Sequence, residues 1–177
     1  MKEKIFELFP EITEIQDSVL QDKVAACWQE AIAYRNWSID ELKKIPFTLL
    51  AENVKIGFIE HVRTCCRMAL ACNDVLDEAY GERKTKINRD YLIAGSLLAD
   101  VGKLFEYDKK DGVIYKSDYG KKLRHPFSGV GLAFKHGLPQ EVMHVIAVHS
   151  KEGEGEKRSP EAIVFHHVDF IDFELVK

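Results

Sequence analysis

Leu97-Leu98-Ala99-Asp100-Val101-Gly102-Lys103 reads as the end of a buried helix that carries one acid on its apolar face. Helical positions three, four and seven apart share a face, so Asp100 falls in line with Ile93, Leu97 and Leu104. A carboxylate in such company is costly unless a cation or a strong donor meets it. The rest of the chain is therefore read for what meets Asp100.

Working outward, Asn88 is the expected N-cap of this central helix, with Asp90 favourable in its first turn and an end near Leu104. Before it, residues 52 to 80 show the clearest periodicity of the chain. Val54, Phe58, His61, Val62, Cys65, Ala69, Cys72 and Leu76 form one stripe, closed by Gly81 and a polar turn from Glu82 to Lys86. His61 stands inside the stripe. A core histidine bonded to a carbonyl would explain it, and so would a metal ligand.

After the central helix, Phe105-Glu106-Tyr107 and Val113-Ile114-Tyr115 flank Asp108 to Gly112, the signature of a β-hairpin. Tyr119 to Arg124 is locally basic. His125-Pro126 then opens a helix to about His136, closed by Gly137. Pro139 opens the next, on which Val142, Val145, Ile146 and His149 share a face while His144 points to solvent. Ser150 to Ser159 is a loop. Ser159-Pro160-Glu161 starts the last helix, where Ala162, Phe165, His166 and Asp169 align and His167 points away. Upstream, residues 11 to 35 are expected to be helical, and a capping box at Ser38-Ile39-Asp40-Glu41 starts a short helix that stops before Pro46.

Composition bounds the class. With 177 residues, 46% hydrophobic and 31% charged, the chain has room for one folded domain with a sizeable core. A net charge of -4 does not favour nucleic-acid binding by general electrostatics. No apolar run approaches a bilayer span, and Met1-Lys2-Glu3-Lys4 lacks a secretory pattern. Cys27, Cys65, Cys66 and Cys72 lack Cys-x-x-Cys spacing and read as reduced core thiols, so a cytoplasmic protein without membrane attachment is expected.

His61, Asp100, His149 and Asp169 thus each occupy a core-facing position on a different helix, and His125 sits at a helix start. Singly, each is more simply structural. Together they ask for a cation, because a small core rarely buries so many ionisable groups without one. Imidazole nitrogens combined with carboxylate oxygens suit Mn, Fe, Co, Ni or Zn, and one or two ions are expected.

These residues also carry a resemblance. Helix-borne His61, then Leu97 to Lys103 with its Asp100-Val101-Gly102-Lys103, then a late Asp169, resemble the HD-domain superfamily of metal-dependent phosphohydrolases over roughly residues 50 to 175. The helical stretches and the turn signals predict an all-α bundle of about six or seven helices with one small β-hairpin, which the resemblance implies is of HD-domain type. A single domain, 1–177, is expected, in which residues 1–50 form an N-terminal helical extension packed on a 50–175 HD-like core. His125 and His149 fall where two-metal members place further ligands, and Asp100 would then bridge the ions. The order of hairpin, His125, His149, loop and Asp169 is similar to the HD module of certain 3′–5′ exoribonucleases, whose OB module is missing here.

One position departs from the pattern. The family's His-Asp pair reads Ala99-Asp100, and alanine offers no ligand atom. A natural variant relying on the second metal position, a pseudoenzyme and an engineered inactivation all fit that alanine. The expected activity is metal-dependent hydrolysis of a small phosphate ester or nucleotide. Asp100 and Lys103 would act at the reacting phosphoryl group, and Lys122 and Arg124 would hold the substrate. The alternatives are a non-catalytic ligand-binding or regulatory module, and a di-iron oxygenase of the same superfamily. The expected partner is a small phosphorylated substrate; homo-oligomerisation is left open.

Overall fold

A computed structural model describes residues 1–50, 54–81 and 85–176. The architecture is the expected all-α bundle with one small antiparallel hairpin. Helices α1 (Lys2–Leu8), α2 (Ser18–Tyr34) and the one-turn α3 (Ile39–Leu42) come first, followed by the long α4 (Phe58–Tyr80). Then come α5 (Arg89–Leu98), the one-turn α6 (Lys103–Glu106), strands β1 (Tyr107–Lys110) and β2 (Val113–Lys116), and the short α7 (Asp118–Lys122). Helices α8 (His125–Lys135), α9 (Gln140–Val148) and α10 (Pro160–Val176) complete the chain. The helices beyond the expected seven are α1, which precedes the first expected one, and the short α6 and α7.

Helix α5 is the axis of the bundle, packing on α2, α4, α9 and α10. Its residues 92–98 are all buried, and Ile93 and Leu97 are fully so. The N-terminal helices share the same apolar core: Phe9 stacks on Trp28, which meets Phe58, and Trp37 Nε1 donates to the Leu104 carbonyl. No described helix is long and apolar enough to cross a membrane.

Several expected boundaries shift for local reasons. Residues 10–14 form a 3-10 turn begun by Pro10, and α2 starts only where Asp17 accepts the backbone N–H groups of Val19 and Leu20. Helix α4 begins at Phe58 rather than near 52, after a bridge that pairs Pro46 with Gly57; residues 52 and 53 lie outside the described residues, as do 82–84 of the expected polar turn. Gly81 does end α4, and the capping box at Ser38 forms. The hairpin turn is tighter than expected. Only Asp111 and Gly112 lie between Lys110 and Val113, both with positive φ, as a two-residue turn matching strand twist requires.

The central helix does not run on to Leu104. It ends at Leu98, and Val101, Lys103, Leu104 and Phe105 donate to carbonyls three residues back, which tightens the coil. Gly102 marks the reason. A Cβ there would sit 2.1 Å from the His125 carbonyl oxygen, so only glycine lets the start of α8 press against the residues after Asp100. The tightened turn and the close approach together place Asp100 and His125 side by side.

Candidate metal centre

Five of the eight residues singled out in the sequence as chemical meet at one point. His61 reaches it from α4, Asp100 from the turn after α5, His125 from the first turn of α8, His149 from the end of α9 and Asp169 from α10. His61 Nε2 lies 3.2 Å from Asp100 Oδ2 and 3.2 Å from Asp169 Oδ1. On the other oxygen of the same carboxylate, His125 Nε2 lies 3.3 Å and His149 Nε2 3.7 Å from Asp100 Oδ1. Asp100 is thus shared by two triads, one with His61 and Asp169 and the other with His125 and His149.

Each histidine is oriented by a bond at its other nitrogen. His61 Nδ1 faces Asp172 Oδ2 at 2.6 Å, His125 Nδ1 faces Glu106 Oε2 at 3.2 Å, and His149 Nδ1 faces the Ile146 carbonyl at 2.9 Å. All three acceptors favour N–H at Nδ1, which leaves three Nε2 atoms aimed at Asp100. This is the arrangement by which proteins orient imidazole for a metal. His125 Nε2 and His149 Nε2 stand only 3.3 Å apart. Two imidazole ligands of a tetrahedral ion with bonds of ~2.0–2.1 Å would be separated by about the same distance. The residues present therefore fit a divalent transition metal.

Electrostatics agree. Asp100 is 4% exposed. Burial alone would raise its pKa, but Lys103 and the surrounding histidines hold it well below the usual carboxylate range. Burial alone would lower His61, yet Asp100, Asp169 and Asp172 raise it well above its ordinary value. His149 is raised in the same way, burial being outweighed mainly by Asp100. His125 moves down, because burial outweighs the pull of Glu106 and Asp100. Cys65 Sγ lies 3.6 Å from His61 Nδ1, and burial pushes that thiol up to about 11, so it stays neutral beside the site.

The proposed helper residues divide. Lys103 is buried, donating from Nζ to Asp100 Oδ2 and to the Phe47 carbonyl, both at 2.8 Å. Arg124 faces the cavity above the centre while pairing with Glu106 and Glu152. Lys122 does not join them. It is exposed at the end of α7 and is not among the residues lining that cavity. His144 is also unlike the expectation: it is half-buried, and its Nε2 accepts the Ser159 backbone N–H at the start of α10. Ala99 is fully buried in the apolar core.

Sequence reasoning missed Asp172 and Glu106. Asp172 follows Asp169 by three on α10, so helical spacing already placed it on the same face. Glu106 is 2% exposed and gathers the backbone N–H of His125, its Nδ1, Arg124 and Lys116. Its signal was weaker: an acid between Phe105 and Tyr107, three residues after Lys103.

Above the two triads opens a cavity of about 620 Å³. Its walls combine aromatic rings, Phe47, Tyr107, Tyr115, Phe170 and Phe173, with the cations Lys116, Arg124 and Lys151. The Phe47 ring sits against His61, with centroids 4.8 Å apart. A small molecule with a flat ring and a negative group fits such a lining.

No family model matches this chain, and no solved structure matches it. Over 117 residues, 66% of the chain, it is 34% identical to the dihydroneopterin 2′,3′-cyclic phosphate phosphodiesterase of Methanocaldococcus jannaschii. That alignment covers 46% of the archaeal enzyme, so the chain spans about half the length of the curated relative it matches.

Proposed function

We propose that the protein is a metal-dependent phosphohydrolase of the HD type that opens a phosphodiester on a small, ring-bearing molecule, with a 2′,3′-cyclic phosphate as the leading substrate. The observation that carries this reading is the convergence of three Nε2 atoms on one shared carboxylate, each ring fixed at Nδ1. The similarity to a cyclic phosphate phosphodiesterase adds the substrate class.

His61, Asp100, His125, His149 and Asp169 would hold one or two divalent ions of the Mn, Fe, Co, Ni or Zn class. Such an ion polarises a phosphoryl oxygen and makes water a nucleophile near neutral pH. The chain's own groups do the remaining work. Asp100 presents one oxygen to each triad. Lys103 spends two of its three donors on Asp100 and Phe47 and keeps one for a phosphoryl oxygen. Arg124, pinned between Glu106 and Glu152, holds its charge at the cavity wall without collapsing onto Asp100. The aromatic walls seat the ring of the substrate and keep bulk water from the reacting phosphate.

Ala99 does not remove this capacity, because Asp100, His125 and His149 offer three donors without it. The test is ³¹P NMR of dihydroneopterin 2′,3′-cyclic phosphate with protein loaded in turn with Mn, Fe(II), Co, Ni and Zn. Appearance of a phosphomonoester that chelation abolishes is the expected result. Failure of every metal form on this ester, on nucleoside 2′,3′-cyclic phosphates and on simple phosphodiesters would overturn the reading.

A further inference from the structure

A second large cavity, of about 700 Å³, lies away from the metal centre. It is formed by residues around 43–46 and 54–57 and by the first turns of α4. Five of its lining side chains are basic, Lys43, Lys44, Lys55, Arg63 and Arg67, against one acid, Glu60. Glu60 is partly committed, accepting the Gly57 backbone N–H at 3.4 Å, and Arg63 is held by buried Glu11. Among the described residues Lys43, Lys44, Lys55 and Arg67 have no ion-pair partner. The whole chain carries a net charge of -4, so this gathering of cations runs against the rest of the molecule. Like charges collected around a concavity focus a positive potential that an anion relieves.

We propose that this cavity is a second binding site, independent of the metal centre, for a nucleotide-sized polyphosphate. The volume is that of a small-molecule pocket. The cations come from three separate segments and face one space, which suits several phosphates rather than one. Lysine serves phosphate as a point charge, and arginine adds directional donors.

The site is also joined to the first cavity by a short strap. Ile45 and Pro46 line the basic cavity, while the next residue, Phe47, lines the cavity over the metal centre. Phe47 donates its N–H to the Ile56 carbonyl, Phe58 donates to Ile45, and Lys103 donates to Phe47. Helix α4 likewise offers Arg63 and Arg67 to one cavity and His61 to the other. A polyphosphate bound between the strap and α4 therefore braces the wall against which His61 rests.

The experiment is calorimetric titration of chelator-dialysed protein with inorganic tripolyphosphate, at about 50 and 200 mM salt. Wild-type protein is expected to bind one equivalent, more weakly at the higher salt. In the Lys55→Ala, Arg67→Ala double variant, affinity falls by about tenfold or more, beyond the factor equal to 1.4 kcal/mol. Both side chains are exposed, and an unchanged thermal transition confirms that the variant is folded. Amide shifts on titration should cluster at residues 43–46, 54–57 and 63–67. No binding by the wild type, or equal binding by the double variant, overturns the proposal. So does loss of binding on Arg124→Ala instead, which would place the anion over the metal centre. Tighter binding of a single-stranded RNA oligonucleotide than of tripolyphosphate would overturn the small-molecule assignment. None of these readouts depends on phosphodiesterase activity.

Discussion

Asp172 and His61 share a 2.6 Å hydrogen bond that turns the opposite face of the imidazole, Nε2, towards Asp100 and Asp169. The pair sits on two helices, α10 and α4, that pack together along the bundle. Its consequence is that His61 presents one nitrogen, and only one, to the shared carboxylate.

Replacing Asp172 by Asn should therefore weaken the metal centre without dismantling it. The amide accepts a hydrogen bond but loses the charge that makes His61 a stronger ligand, and such changes typically lower metal affinity by about 10–100-fold. Competition against a chelating dye measures this directly. An affinity unchanged from wild type would show that Asp172 serves packing alone.

A proton and a metal ion compete for the same nitrogens. Without metal, the carboxylates hold His61 and, to a lesser extent, His149 above the ordinary histidine value. A raised folded-state pKa contributes stability that is complete below the unfolded value of about 6.5 and is lost as pH climbs through the folded value. His125 is shifted down, so it costs stability only below about 6.5, and the buried thiols matter only near the unfolded cysteine value of about 8.5. Between about pH 6.5 and 8, then, the metal-free protein should lose thermal stability as pH rises. The metal-loaded protein should gain it, since deprotonated ligands bind better. Melting temperatures across that window, with and without chelator, give opposite slopes. Calorimetry in two buffers of different ionisation heat should show release of about one proton or more on metal binding. Parallel slopes would contradict the assignment.

The helices were legible because their apolar stripes repeat at 3.6 residues, and the five converging groups because each interrupts or ends such a stripe or opens a helix. His61 inside its run of Val and Phe, or Asp100 below Leu97, is visible to spacing alone. The break after Leu98 was not visible. It depends on the His125 carbonyl pressing on Gly102, a contact between residues 23 apart that no local pattern encodes. Asp172 hid in plain spacing because α10 is apolar nearly all round, with Phe165, Phe170 and Phe173 on several faces, so no clean stripe singled out one acid. Glu106 hid because its partners lie on α8 and β2. Lys122 looked like a substrate contact by its nearness to Arg124 in sequence, but it ends α7 exposed to solvent, two residues before half-buried Arg124. The basic cavity draws on three segments, and its charge is diluted in the sequence by their acidic neighbours.

Gly102 makes a sharp test of that tertiary contact. A Cβ at this position meets the His125 carbonyl oxygen at 2.1 Å, with the Ser128 hydroxyl at 2.7 Å, and neither the backbone of α8 nor the turn can yield cheaply. Gly102→Ala should push α8 away from Asp100. The expected cost is on the order of 1–3 kcal/mol, as for overpacking of a tight core. Urea denaturation reads the stability, and elemental analysis should show metal lost in proportion, because His125 moves with the helix. A variant as stable and as metal-rich as wild type would mean that α8 is not held where this contact puts it.

The two triads are not equivalent, and the difference predicts which one keeps its metal. Lys103 Nζ lies 2.8 Å from Asp100 Oδ2, the oxygen that also faces His61, so an ammonium already stands beside the first triad. Oδ1, which faces His125 and His149, has no ammonium recorded against it among the described residues. The first triad also has only one imidazole, since Ala99 supplies none. The tighter ion should accordingly sit between Asp100, His125 and His149. On dialysis against metal-free buffer, wild type should retain about one ion per chain. Asp169→Asn should retain it too, whereas His149→Ala should lose most of it, because removing a ligand costs both affinity and geometry. Measured by plasma emission on folded, monodisperse protein, the reverse ranking of these two variants would place the tight ion with His61 instead.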